Sequence, residues 1–287
     1  MQSDAAAGLV LEGGGLRGNF SAGVLRHFTD MCFVFSSLYG VSMGACNGAN
    51  IISKQPERNR ITNTCFVNDS RYLSYIRLLK GGDLFGMDFI FRDIPLHIVP
   101  IDYETFKNNS VKFWIGVTDC YTGNAVMFEK SMLESRDDVL TIMRASASLP
   151  LIAKPVEYNG VLYMDGGIAN PIPLQQCLEH GEKPVLILTQ PAGYRKRASK
   201  SVLLCKWRYP QFPELNRVLE HRHEEYNDVL ATIEAKEKRG DVFVIRPEST
   251  LGVGRVCRNQ RQLYELYDEG YALAQKCTPA LQEFLSV

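Results

Sequence analysis

Residues 8–44 read GLVLEGGGLRGNFSAGVLRHFTDMCFVFSSLYGVSMG, and this stretch decides the fold. Residues 5–11 form a short apolar run that ends in glycines, which predicts a buried strand. Residues 19–30 carry Phe20, Val24, Leu25 and Phe28 at the spacing of one helix face. Residues 34–41 are a second apolar run of strand length. Strand, helix and strand in so short a span make a βαβ unit, whose two strands run parallel. Beyond Ser42, residues 43–53 are rich in small side chains, among them Gly44, Ala45, Gly48 and Ala49. Two glycines weaken a helix by roughly 1 kcal/mol each relative to alanine, so this predicts a helix where backbones must approach closely.

The pattern continues outward from this unit. Residues 112–118 and 124–128 read as strands joined by a turn at 121–123, and 137–147 as a helix. Asn159-Gly160 between 156–158 and 161–163 is a strong hairpin signal. A strand at 184–189, a long charged helix at 214–238, a strand at 242–245 and a helix at 260–276 complete the series. Residues 57–107 are less regular. A helical pattern at 71–80 is broken by Gly81, Gly82 and Gly86, and the following 84–91 is aromatic and apolar. Helices alternating with strands of the parallel type define a layered α/β domain. No linker divides it, so one domain is expected over 5–287, with its motifs in 8–190 and residues 191–287 extending it.

Global charge excludes some partners. Lys+Arg and Asp+Glu are equal at 32 each, so nothing overall draws the chain to nucleic acid. The eight cysteines form no CxxC pair and the histidines no HExxH, which points to buried free thiols and to no metal site. No secretory leader and no apolar run of about 20 residues is visible, so a cytoplasmic setting is expected.

Three clusters carry chemistry. Gly13-Gly14-Gly15-Leu16-Arg17-Gly18 follows a strand and opens a helix, where backbone N–H groups bind an anion, be it a phosphate or the oxyanion of an ester transition state. The same residues match a dinucleotide fingerprint, but the second strand ends in Tyr39-Gly40-Val41-Ser42 without the acid that fingerprint needs. Gly40-Val41-Ser42-Met43-Gly44 is a GxSxG in strand–turn–helix context, which presents a serine as nucleophile. No histidine after the acid stands in a glycine-bounded loop, which argues against a Ser-Asp-His triad. Asp165-Gly166-Gly167 follows an apolar strand, and its carboxylate is a candidate base for Ser42. A DG pair is otherwise a common turn.

In that order the three motifs resemble the patatin-like phospholipase family, over roughly residues 8 to 190. Val117-Thr118-Asp119 with Thr122-Gly123, and Arg144 to Pro150 ahead of Pro155-Val156, are softer likenesses. The resemblance implies a three-layer α/β/α sandwich with a mostly parallel central sheet, and a dyad without histidine, metal or cofactor. It makes Ser42 the nucleophile and Asp165 the proton acceptor. It makes the amides of Gly14 and Gly15, with Gly13, the oxyanion donors. Arg17, Gly18, Gly40, Gly44, Gly166 and Gly167 support the motifs, Arg17 either by steadying the loop or by attracting an anionic headgroup. The implied substrate is a phospholipid, lysophospholipid or acylglycerol ester; a thioester or an acyl transfer fits the same dyad, and a nucleotide-binding module is the competing reading.

Two further segments bear on substrate and surface. Residues 195–208 hold Arg195, Lys196, Arg197, Lys200, Lys206 and Arg208 interleaved with Leu203, Leu204 and Trp207. They read as a peripheral contact for anionic membrane or as a solvated loop. Residues 84–91 read as the lining or lid of an acyl pocket, or as plain core.

Overall fold

The computed structural model describes residues 6–286; residue 5 of the expected first strand, and both ends of the expected 5–287 domain, lie outside the described residues. The strands are β1 Ala7–Leu11, β2 Ser37–Val41, β3 Lys112–Asp119, β4 Ala125–Glu129, β5 Val156–Tyr158, β6 Val161–Asp165, β7 Lys183–Ile187 and β8 Phe243–Ile245. The first helices are α1 Asn19–Asp30, α2 Met43–Ile52, α3 Pro56–Thr64, α4 Tyr75–Leu79 and α5 Tyr103–Asn108. They are followed by α6 Arg136–Ser146, α7 Leu174–Glu179, α8 Ser201–Arg208, α9 Pro213–Arg239 and α10 Gln260–Ser286. A wide-turned helix, Phe89–Ile98, lies between α4 and α5 and contains Pro95.

One sheet runs in the order β5-β6-β3-β2-β1-β7-β8, with β4 paired to β3 outside that path. β3, β2, β1, β7 and β8 are mutually parallel, whereas β4, β5 and β6 are antiparallel additions. Parallel strands are covered on both faces, so their apolar residues divide between two cores at period two. Leu9, Leu11, Leu38, Ile115, Val185 and Ile187 join a core shared with α1, α2, α6 and α10. Val10, Tyr39 and Leu186, alternating with them, join Tyr226, Leu230 and Ile233 of α9. Helices therefore pack on both faces of a largely parallel sheet, as expected.

Register carries the most important detail. Gly116 of β3 pairs with Val41 and with Met127, while Val117 pairs with Val126 and with Asp165. A strand has only two edges. So β6 takes over the edge of β3 where β2 stops, and Asp165 arrives beside the end of β2.

Some bounds differ from the sequence-based expectation. β2 begins at Ser37, not at residue 34, because Val34 is exposed on the approach to the sheet. The helix expected at 71–80 shrinks to α4, since Tyr72 and Leu73 donate backbone bonds to Asp69 and Leu73 bridges to Phe85. α10 continues past the expected end at 276 to Ser286. It crosses α1 in backbone contact: a Cβ on Gly23 would lie 1.9 Å from the Tyr267 carbonyl oxygen, and one on Gly270 2.1 Å from that of Phe20. All eight cysteines are free thiols, but only Cys120, Cys177 and Cys205 are buried, while Cys32 and Cys65 are exposed. Among the described residues no helix is long and apolar enough to cross a membrane.

Candidate active site

Ser42 stands between β2 and α2 with φ 56° and ψ −127°, a left-handed backbone conformation that a non-glycine residue adopts at a cost of about 1–3 kcal/mol. The strain is held by neighbours. Ser42 N–H donates to Ser146 Oγ at 2.8 Å, and Ser146 Oγ–H donates to the Gly116 carbonyl at 2.6 Å. Backbone crowding explains the glycines around the turn. A Cβ on Gly44 would lie 2.6 Å from the Leu11 carbonyl oxygen, and one on Gly40 2.7 Å from Ala45 Cα.

Asp165 ends β6 and is 1 % exposed. Ser42 Oγ–H donates to its Oδ2 at 2.7 Å, across 123 residues of sequence. Its other oxygen, Oδ1, accepts the Gly167 N–H at 2.8 Å, and its backbone carbonyl accepts Thr118 Oγ1–H at 2.9 Å. Gly166 lies against the Gly116 carbonyl, with no room for a Cβ. Burial raises the Asp165 pKa above the usual carboxylate range, and the bond from Ser42 and the charge of Arg222 oppose that rise. Arg222, in α9, donates from Nε to the Gly167 carbonyl at 2.6 Å. Burial and the neighbouring Arg255 bring its own pKa down to about 10.

The glycine loop passes directly behind the serine, a Cβ on Gly13 falling 3.0 Å from Ser42 Cβ. Gly13 differs from its two neighbours. Its N–H is directed to the Pro171 carbonyl at 3.4 Å, whereas the N–H groups of Gly14 and Gly15 have no acceptor among the described residues. Gly15 has φ +57°, and a Cβ there would meet the Arg255 carbonyl oxygen at 2.6 Å. The loop ends in a short helical turn, Gly15–Gly18, ahead of α1. Gly18 packs against the Met43 side chain, and Arg17 turns away from the serine into a second cavity.

A narrow cavity of about 110 Å³ opens at Ser42. Its wall is mainly apolar, with Met43, Phe85, Met87, Ile90, Phe91 and Leu149 contributing. The segment 84–91 thus divides its work. Phe85, Met87, Ile90 and Phe91 face the cavity, while Leu84 is buried in the core, as is Phe89, which packs edge-on against Phe66.

Several residues at the site escaped the sequence. Ser146 lies within the 144–150 segment, where the sequence gives it no role of its own. Glu12 is 1 % exposed and accepts from Tyr226 Oη at 2.5 Å and from Thr189 N–H at 2.6 Å, which ties the loop to α9. Arg222 and Arg255 belong to the last third of the chain, where no motif singled them out.

A doubly covered α/β sheet, with a strained serine at the end of one strand hydrogen-bonded to a buried aspartate beside a glycine loop, defines the class as an α/β protein that presents a serine on a sharp strand-to-helix turn. Residues 9–178 match the family described as patatin-like phospholipase, so the chain belongs to that family, one of lipid hydrolases. Residues 212–286 match a domain of unknown function, DUF6363. The uncharacterized protein YjjU of Escherichia coli (strain K12) is 27 % identical over 252 residues, which is 85 % of this chain and 69 % of that protein. The crystal structure of VipD from Legionella pneumophila aligns with TM-score 0.58 at 12 % identity, over 97 % of this chain and 68 % of that one. At that identity the likeness concerns the fold alone.

Proposed function

We propose that this protein is a serine esterase that cleaves acyl esters of lipids through Ser42 and Asp165. The observation that carries the reading is the 2.7 Å hydrogen bond from Ser42 Oγ to the buried Asp165 carboxylate. Ser42 Oγ attacks the ester carbonyl carbon as its proton passes to Asp165 Oδ2. The carbonyl oxygen becomes an oxyanion held by the N–H groups of Gly14 and Gly15, while Gly13 fixes the loop through Pro171. Collapse breaks the ester bond, and the alcohol leaves with the proton from Asp165. Water then attacks the acyl-serine, gives a proton to Asp165, and Ser42 recovers it as the fatty acid departs. The apolar cavity beside Ser42 takes the acyl chain. The C-terminal third works within one domain with the motif-bearing part, through the α1–α10 crossing and the Tyr226–Glu12 bond.

The purified protein is expected to hydrolyse p-nitrophenyl esters with an optimum at a medium or long chain. One equivalent of a fluorophosphonate is expected to label Ser42, read by peptide mass mapping. No turnover, or a label on another residue, removes the reading.

Helix α8 is the membrane contact. Leu203 and Trp207, both about three-quarters exposed, form an apolar ridge with Leu204. The six cations of 195–208 do not act alike. Arg195 pairs with Glu234 at 2.7 Å, Lys206 with Glu220 at 2.9 Å, and Lys196 is folded over Tyr226. Arg197, Lys200 and Arg208 have no carboxylate partner among the described residues. Each such charge near an anionic leaflet contributes about 1 kcal/mol. Lys200→Gln with Arg208→Gln is expected to weaken binding to phosphatidylglycerol vesicles about 30-fold. Unchanged co-sedimentation would return the segment to a solvated loop.

A further inference from the structure

A second cavity, of about 700 Å³, adjoins the first, and Arg255 lines both. Its chemistry is opposite to that of its neighbour. Arg17, Lys196, Arg222 and Arg255 line it, with Arg195 and Arg197 at the rim, and no aspartate or glutamate is among its lining residues. Two buried carboxylates act on these cations, Glu12 on Arg17 and Lys196 and Asp165 on Arg222, and their oxygens already accept hydrogen bonds, Glu12 from Tyr226 and Thr189 and Asp165 from Ser42 and Gly167. The cations are short of partners. Arg17 Nε is buried with no hydrogen-bond acceptor among the described residues. Arg222 spends its Nε on Gly167, which leaves its terminal nitrogens without an acceptor among the described residues. Lys196 Nζ rests 3.9 Å from the centre of the Tyr226 ring.

Arg17, Lys196 and Arg222 are half-buried and Arg255 is exposed at the mouth, and against Glu12 and Asp165 the four cations leave a surplus of positive charge that an entering anion offsets. Lys196 registers this: burial, Arg222 and Arg255 bring its pKa down to about 6. The cluster also adjoins the reacting atoms. Arg17 is two residues beyond Gly15, Arg222 touches the residue two beyond Asp165, and the Arg255 backbone accepts the Leu16 N–H at 3.1 Å.

We propose that this cavity binds the leaving-group end of the substrate, and that the group it takes is a phosphate monoester, as in an acylglycerol phosphate. The assignment rests on the esterase reading and gives it a headgroup. A phosphate monoester carries close to two charges and three terminal oxygens, which suits converging guanidinium forks. A zwitterionic headgroup would bring a quaternary ammonium among like charges, with no carboxylate lining the cavity to receive it and the Tyr226 face covered by Lys196. With the acyl chain in the narrow cavity and the ester at Ser42, the phosphate reaches the basic cavity past Arg255. Lys196, Arg222 and Arg255 lie beyond residues 9–178, so this gives the C-terminal third a part in substrate choice.

The test compares kcat/KM for 1-acylglycerol 3-phosphate, 1-acylglycerophosphocholine and 1-acylglycerol of one chain length, each below its micellar concentration. The wild type is expected to prefer the phosphate monoester about 100-fold over the other two, the worth of one or two charge-assisted bonds. Lys196→Gln and Arg255→Gln are each expected to cut that ratio about 10-fold. Lys196→Arg is expected to restore it, which a damaged fold would not. A ratio near one in the wild type overturns the proposal. In a parallel arm, thermal unfolding is followed with inorganic phosphate and with glycerol 3-phosphate. Stabilisation by both without any preference among the acyl substrates would mark a site for a free anion and overturn the leaving-group assignment. Turnover of p-nitrophenyl esters without phosphate preference defeats this inference alone. No turnover of any ester defeats the esterase reading, and the headgroup assignment falls with it.

Discussion

Ser42→Ala is expected to lower kcat for ester hydrolysis roughly 10⁶-fold, the size of effect seen when a serine nucleophile is removed from a working acid–base unit. The methyl group fills the space of the hydroxymethyl group but cannot form the acyl-serine. Substrate binding should persist, since the apolar cavity and the cluster around Arg255 are untouched. The control is Ser42→Gly. It is equally inactive, but glycine adopts φ 56° without the strain that serine carries there. Its melting temperature is therefore expected to exceed that of Ser42→Ala, by an amount that reflects about 1–3 kcal/mol of released strain. Chromogenic ester turnover and thermal unfolding on the three proteins decide both points. Activity in Ser42→Ala within tenfold of wild type would rule Ser42 out as nucleophile.

Asp165→Asn is expected to cost about 10⁴-fold in kcat while making the protein more stable at neutral pH. An amide accepts the Gly167 N–H as the carboxylate does, but takes no proton from Ser42. The stability sign follows from the raised pKa. A carboxyl group whose folded pKa lies above its unfolded value favours folding only while protonated. Its stabilising proton is fully present below the ordinary value near 4 and is lost as pH rises through the folded value. Wild type is therefore penalised above that window and Asp165→Asn is not. The gain in melting temperature should grow as pH rises toward the folded value and vanish below about pH 4. The same pKa sets the acid limb of kcat/KM, because the base must be ionised to accept the serine proton. An Asp165→Asn protein that is less stable than wild type at neutral pH would contradict the raised pKa.

Much of the central architecture is legible because its information is local. The alternation of Leu9, Val10 and Leu11, the helical spacing of Phe20, Val24 and Phe28, and the glycines around Ser42 each act within a few residues. They suffice for the βαβ unit and for a serine held at a strand end. The region 57–107 was less legible because its helices are short and one has wide turns around Pro95, so no regular period forms. Residues 195–208 were legible as basic but not as three kinds of cation. Pairing, burial and exposure depend on α9, which lies elsewhere in the sequence.

By itself, then, the sequence determined the order of layers, the turn that strains Ser42 and the candidate partner Asp165. The tertiary structure alone decided that these two groups meet, because β6 takes over from β2 on one edge of β3 and thereby closes 123 residues of chain onto one hydrogen bond. It also decided that Arg17, Lys196, Arg222 and Arg255 share one cavity. Sheet register and helix crossings set those neighbours. Both arise from packing between distant segments, and no local periodicity encodes them.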